Sequence, residues 1–504
     1  MRLPHRLCRD TELASASRRG LVLGAALACL PDLTYANAAV KPRAAKLVLP
    51  RPVQELIDAS GLPSTSFGLH VQPIGRVAKP LVSLNADTHF QMASTTKLVT
   101  SLAALDLLGP EYRWHTHAFI DGELHEGRLL GDLIIVGGGD ASLSSEHMRA
   151  WFAEMQSRGL HEVWGDIVLD RFAFSLSEDD HARTPLPTQY QPGYARPDAL
   201  TLDEGVLRVA LSAAPKRPAS VRLTPGQAGL RVVNQLTAGS SCSASARLEQ
   251  SAAISRLVVR GEWAAACGDR QIAQLAVPHS EFTKRAMAEL WRECGGRFTG
   301  RVRSRVEPQR HTALARGPES ETLEPWASHS SQPLPSLIRE MNKTSDNLAA
   351  RSLFLSLADD FPTQAATLPA ARARLSDWLR VQGLAEGDIA VHNGAGVSRA
   401  EKGKPQALVQ LLLNAWQGPQ SQAFFDSLPI AGVDGTLGRR MVGGAAAGRA
   451  HLKTGTGGDT RALAGYVRCR SGRTHAVAAF VNHADAATAT PTLDAVIEWL
   501  AANG

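Results

Sequence analysis

Three short polar strings, far apart and unequally spaced, limit what this chain can fold into: Ser94-Thr95-Thr96-Lys97, Ser345-Asp346-Asn347 and Lys453-Thr454-Gly455. About 250 residues separate the first two and about 110 the second two. A single compact domain gathering all three does not need the longer gap. That stretch must therefore hold inserted material that leaves a core and returns to it. A Ser-x-x-Lys match is expected by chance about once in a chain this long, and Lys-Thr-Gly in roughly one such chain in twenty. Order and local context carry the reading, not any one string.

The context of each string fits serine acyl transfer with lysine as the base. Apolar residues at Leu98, Leu102, Leu105 and Leu108 have helical spacing, and Gly109-Pro110 ends the run. Ser94 then stands at a helix N-terminus with Lys97 one turn on, on the same face. The helix N-terminus, and burial beside a second cation such as Lys453, are expected to lower the lysine pKa. Lys97 is the candidate base for the Ser94 hydroxyl. Ser345-Asp346-Asn347 opens another helix, followed by Leu348, Leu353 and Leu355. Ser345 is placed to relay a proton, Asn347 to bind substrate backbone, and Asp346 to hold the turn. Lys453-Thr454-Gly455 reads as a strand. Lys453 offers charge to a carboxylate, Thr454 and Thr456 offer hydroxyls and N–H donors, and Gly455 leaves room for substrate backbone. The N–H groups of Ser94 and Thr456 are the candidate oxyanion hole.

Composition narrows the rest. The chain has 504 residues, enough for two or three domains, and 44% hydrophobic residues, normal for a globular protein. Its formal charge of +6 is diffuse, with no basic run, which argues against a nucleic-acid partner. Arg18-Arg19, the apolar stretch Leu21 to Leu30 and Ala36-Asn37-Ala38 read as an export signal over residues 1–38, with a partial twin-arginine pattern. The stretch is too short for a transmembrane span, so a soluble periplasmic protein is expected. Cys8 and Cys29 would leave with the signal. In an oxidising compartment Cys242 and Cys267 are the disulfide candidates, while Cys294 and Cys469 are read as free. No zinc-peptidase or Cys-x-x-Cys string occurs, and no metal or cofactor is expected. His115 and His117 alternate as in a half-buried strand.

Texture gives the organisation. Strand signals at Phe67–Val71 and Leu81–Leu84 are expected to join strands at 461–468 and 475–482 in one antiparallel sheet, with a helix over Thr492–Ala502 packed on it. Short strands recur through 124–136 and 163–169, with a helix over Met148–Arg158 between them. Residues 205–275 are β-rich, and Pro185–Pro197 reads as a connector.

Further strings add a resemblance: Gly137-Gly-Gly-Asp140, Ala195-Arg-Pro-Asp198, Met341-Asn-Lys-Thr-Ser-Asp-Asn347, Gly394-Ala-Gly-Val-Ser-Arg399, Asp434-Gly-Thr-Leu437 and Ala464-Gly-Tyr466. With the three catalytic strings, nearly the whole mature chain resembles the D-alanyl-D-alanine carboxypeptidases/endopeptidases of the low-molecular-mass class C penicillin-binding proteins. The resemblance implies an α/β (α+β) fold. A transpeptidase/β-lactamase-like domain, over 39–120 and 280–504, has an antiparallel sheet flanked by helices. It carries an inserted β-rich domain (121–142 and 206–279), which holds a nested domain (143–205). It also implies cleavage of D-alanyl-D-alanine bonds in peptidoglycan stem peptides, acylation by β-lactams, and a role for Arg399 in binding a stem-peptide carboxylate. After Thr456 the run Gly457-Gly-Asp-Thr460 is richer in glycine than the resemblance implies.

Two other readings compete. A class A β-lactamase uses a glutamate for deacylation. Between Asn347 and Lys453 the glutamates are Glu386 and Glu401, and neither has Asn four residues on. A non-catalytic cell-wall scaffold or β-lactam sensor would usually carry a membrane tether, and no long apolar run follows residue 38.

Overall fold

Strand pairing divides the chain differently from its texture. The computed structural model describes residues 49–75, 79–177, 196–214, 217–250, 255–277, 279–306 and 324–504. The expected export signal and most of the Pro185–Pro197 connector lie outside these residues.

The sheet nearest the three strings has five antiparallel strands in the order Ala450–Thr456, Thr460–Arg468, Thr474–Asn482, Phe67–Pro73 and Val82–Leu84. Its central strands read as continuous apolar runs because both faces are covered. Val477, Ala479 and Val481 pack with Val53, Ile57, Val496 and Leu500 from helices Arg51–Ala59 and Thr490–Asn503. On the opposite face, Ala462, Ala464, Ala476, Ala478 and Phe480 join the core of helices Thr96–Leu107, Asn347–Leu355 and Pro405–Gln417. The small alanines let those helices approach closely. A one-residue register slip would exchange the two faces and put Phe480 against the wrong helices. The Lys-Thr-Gly string lies on the edge strand.

The long excursion enters and leaves through one pair of neighbouring strands. His115 and Ser330 are register partners, and the backbone N–H of Ser331 donates to the carbonyl of Trp114 at 2.9 Å. Trp114 also donates its indole N–H to Ser356 Oγ at 2.9 Å, which ties this neck to the helical core. Because the ends meet, residues 115–330 add little closure entropy to the core that carries them.

Within the excursion, one seven-stranded sheet takes strands His115–His125, Arg128–Val136, Glu162–Val163, Ile167–Asp170, Arg297–Phe298, Val302–Arg305 and Ala327–Ser330. Helices Ser145–Ser157 and His279–Glu293 pack on it through Met148, Phe152, Phe282 and Trp291. Two three-stranded sheets follow over residues 206–276, with Cys242 and Cys267 joined in a disulfide, Cα to Cα 5.9 Å. Cys294 and Cys469 are free thiols.

Strand pairing joins elements that the implied domain boundaries keep apart. Strands 162–170, assigned to a nested domain, lie in the same sheet as 115–136. Strands Arg297–Phe298, Val302–Arg305 and Ala327–Ser330, assigned to the catalytic domain, pair into that sheet. Parallel pairing of Arg128–Val136 with Ile167–Asp170 through helix Ser145–Ser157 is a crossover unit, whose partners are set by long-range hydrogen bonds and not by local pattern. Among the described residues no helix is long and apolar enough to cross a membrane.

Candidate active site

Ser94 sits in a 3-10 turn, Ala93–Thr95, that runs directly into helix Thr96–Leu107. The Thr95 hydroxyl donates to the Met92 carbonyl at 2.7 Å and fixes the turn. Lys97, one turn on, is fully buried. Its Nζ donates to Ser94 Oγ at 3.0 Å, to Asn347 Oδ1 at 2.7 Å and to the Ala395 carbonyl at 2.6 Å. Three acceptors for one amine fix its position. Burial lowers the Lys97 pKa to about 7, against the opposing pull of Glu401 and Asp346. Burial, which the sequence reading paired with the charge of Lys453, is the largest cause.

The second string also adopts an unusual backbone. Ser345 ends helix Leu334–Thr344 in the left-handed region at φ 64°. Asp346 then caps helix Asn347–Leu355, its Oδ1 accepting from Leu348 N–H at 2.7 Å and Ala349 N–H at 3.1 Å. Such a cap contributes about 1 kcal/mol. The reversal between the two helices turns Asn347 toward Lys97 and Ser345 toward Lys453, whose Nζ donates to Ser345 Oγ at 2.8 Å. Lys453 is fully buried, and burial, reinforced by the charge of Lys97, pushes its pKa well below the ordinary lysine value.

Two glycines clamp the Ser94 turn from opposite sides. A Cβ on Gly455 would lie 2.7 Å from the Met92 carbonyl oxygen and 2.9 Å from Ala462 Cβ. This glycine therefore seats the edge strand against the turn, a reason different from the room for substrate expected from sequence. A Cβ on Gly396, at φ 81°, would lie 1.9 Å from the Ala93 carbonyl oxygen. Both positions demand glycine for close approach of backbone to backbone.

An open cleft of about 440 Å³ lies over these groups, lined by Ser94, Ser345, Asn347, Arg440, Thr454 and Thr456 among others. The Thr454 hydroxyl donates to Thr436 Oγ1 at 2.8 Å. Lys343 steadies the Thr436 turn through Asp434 at 2.7 Å and the Leu428 carbonyl at 2.6 Å. Arg440 is held by Asp494 at 2.5 and 3.2 Å. Arg399 lies off the cleft lining, largely exposed, and pairs with Asp459 at 2.8 Å. A cavity of about 500 Å³ backs onto the Asp346 cap from the excursion side, but Ser94, Lys97 and Lys453 do not line it.

Sequence reasoning assigned no role to Arg440, Thr436, Lys343 or the buried Glu401. The strings Asp434-Gly-Thr-Leu437 and Met341-Asn-Lys-Thr-Ser-Asp-Asn347 were the available signals for Thr436 and Lys343.

A serine hydroxyl 3.0 Å from a buried lysine amine, beside the edge strand of a five-stranded antiparallel sheet, is the geometry that serine acyl transfer requires. The sequence matches the D-Ala-D-Ala carboxypeptidase 3 (S13) family over residues 50–503. It is 26% identical over 415 residues to the D-alanyl-D-alanine carboxypeptidase DacB of Haemophilus influenzae, covering 80% of this chain and 82% of that protein. It is 28% identical over 390 residues to the D-alanyl-D-alanine carboxypeptidase of Actinomadura sp. strain R39, covering 74% and 70%. The crystal structure of penicillin binding protein 4 from Haemophilus influenzae superposes with a TM-score of 0.68 at 23% identity, over 89% of this chain and 98% of that one. The chain belongs to the D-Ala-D-Ala carboxypeptidase 3 (S13) family and is a serine D,D-peptidase.

Proposed function

We propose that Ser94 is the nucleophile and Lys97 the base of a D-alanyl-D-alanine peptidase. The observation that carries this is the Lys97 amine, buried, near neutral pKa, and 3.0 Å from the Ser94 hydroxyl. Lys97 takes the hydroxyl proton as Ser94 Oγ bonds to the carbonyl carbon of the penultimate D-alanine. The C–N bond breaks, and the leaving D-alanine amine takes a proton through Ser345, which Lys453 holds at 2.8 Å. Water then cleaves the ester and regenerates the serine. Asn347 binds the substrate amide, and the N–H groups of Ser94 and Thr456 receive the oxyanion. Arg440, on the cleft lining, gives it positive charge, with Thr454 as a hydroxyl donor, for the terminal carboxylate.

Endopeptidase cleavage of a D-alanine crosslink uses the same acyl step with a different leaving amine. β-Lactams acylate Ser94 and leave slowly. Glu401 does not supply the missing deacylation base, because it is fully buried and bound to backbone. Arg399 stands at the rim and exchanges Asp459 for a stem-peptide carboxylate. Residues 1–38 direct export to the periplasm, and residues 115–330 form the inserted body on a catalytic body made of 49–114 and 331–504. Labelled penicillin, followed by digestion of purified muropeptides with wild type and Ser94→Ala, tests the reading. Free D-alanine from wild type alone supports it; D-alanine release by Ser94→Ala defeats it.

A further inference from the structure

Glu401 has no exposed surface, and none of its hydrogen bonds reaches the cleft. Its carboxylate is given over to backbone. Oε1 accepts from the N–H groups of His392 at 3.1 Å, Asn393 at 2.9 Å and Gly394 at 2.8 Å. Oε2 accepts from Ser398 N–H at 3.3 Å. Charge-assisted bonds of this kind are stronger than neutral ones, and four on one carboxylate tie down a loop that has little regular structure of its own.

The loop so gathered meets the reacting groups at two points. The Ala395 carbonyl is the acceptor for Lys97 at 2.6 Å, the shortest of that amine's three contacts. Gly396 presses on the peptide between Ala93 and Ser94. One buried side chain thus fixes the acceptor for the lysine and the wall behind the serine together.

We propose that Glu401 is a positioning residue for acyl transfer, acting through the 392–398 loop on both Lys97 and the Ser94 turn. Its negative charge also acts on Lys97. The charged and titratable groups facing that amine are Glu401 from the loop, Asp346 from the cap of helix Asn347–Leu355, and Lys453 from the edge strand. The two carboxylates favour the protonated amine, and burial opposes them. Removing the charge of Glu401 therefore lets Lys97 lose its proton at lower pH. Glutamine keeps the shape but exchanges one accepting oxygen for an NH₂ group, so it also loses loop contacts.

The inference rests on the roles proposed for Ser94 and Lys97. The test is the rate of Ser94 labelling by a fluorescent penicillin across pH 5 to 9, for wild type, Glu401→Gln and Glu401→Asp, with Ser94→Ala as control. Glu401→Gln is expected to label about tenfold more slowly at its plateau, with the acidic limb moved toward acid by about half a pH unit or more. Glu401→Asp keeps the charge but not the reach, and is expected to slow labelling with the limb unmoved. A wild-type rate in either variant overturns the proposal, and so does a slowed Glu401→Gln whose limb stays in place. Labelling that persists in Ser94→Ala defeats the underlying reading instead, and is distinguished by that control.

Discussion

The amine of Lys453 donates to the hydroxyl of Ser345 at 2.8 Å, joining residues 108 apart in sequence through a serine held at φ 64°. Ser345→Ala removes this acceptor and leaves a fully buried amine one partner short, a loss of about 1–3 kcal/mol. It also removes the proposed proton path to the leaving amine, worth about a hundredfold or more in rate. Expected together are a lower midpoint of thermal unfolding and a D-alanine release rate reduced by about two orders of magnitude. Release within twofold of wild type would take Ser345 out of the proton path.

Lys97 gives a pH dependence of defined sign. Its amine must be neutral to act as base, so acylation should rise through about pH 7 and level above it. The linkage to stability runs the other way from a salt bridge. The folded pKa, about 7, lies below the ordinary value of 10.5, so the unfolded chain binds more protons between them. Stability is therefore gained as pH rises through that window. Lys97→Met lacks the titration, and its unfolding temperature relative to wild type should increase as pH falls from 10.5 toward 7, then hold steady. The same variant should show no penicillin labelling. A difference in unfolding temperature that is flat with pH would contradict burial of the amine.

Gly455→Ala tests the seating of the edge strand. The added methyl meets the Met92 carbonyl at 2.7 Å and must push the Ser94 turn or the strand aside. Overpacking of this kind costs about 1–3 kcal/mol. Acylation should fall by about tenfold or more while the protein still folds. If the glycine served only substrate access, β-lactam acylation would stay near wild type and peptide hydrolysis alone would suffer.

Arg399→Ala separates a structural from a substrate role. The exposed pair with Asp459 is worth about 0–1 kcal/mol, so stability should barely change. Loss of one charged contact to substrate, about 1.5 kcal/mol, should raise KM about tenfold for stem peptides bearing a side-chain carboxylate. Peptides whose side-chain carboxylate is amidated should be unaffected, with kcat the same for both. An equal KM change for both peptides would remove Arg399 from recognition of that carboxylate.

Much of the local structure around the site is legible from pattern. Leu98, Leu102 and Leu105 mark the helix after Ser94, and all three are buried in its core. Asp346 reads as a cap and is one. The apolar runs at 461–468 and 475–482 mark a sheet; they pair with each other, and the second pairs with Phe67–Pro73. Each of these signals is short in range: a turn of helix, a cap, or an apolar run.

The sequence by itself determined which groups are available for chemistry and in what order they arrive, because hydroxyls, amines and helix caps are written residue by residue. Tertiary structure alone decided how they act. Burial, which no single residue encodes, takes Lys97 to near neutrality. The neck at Trp114 and Ser331 lets an excursion through residues 115–330 return to the core. Gly455 needs to be small because of Met92, and Glu401 needs its charge because of a loop that touches Lys97. Such contacts join segments remote along the chain, and their energies exist only once the backbone has brought them together.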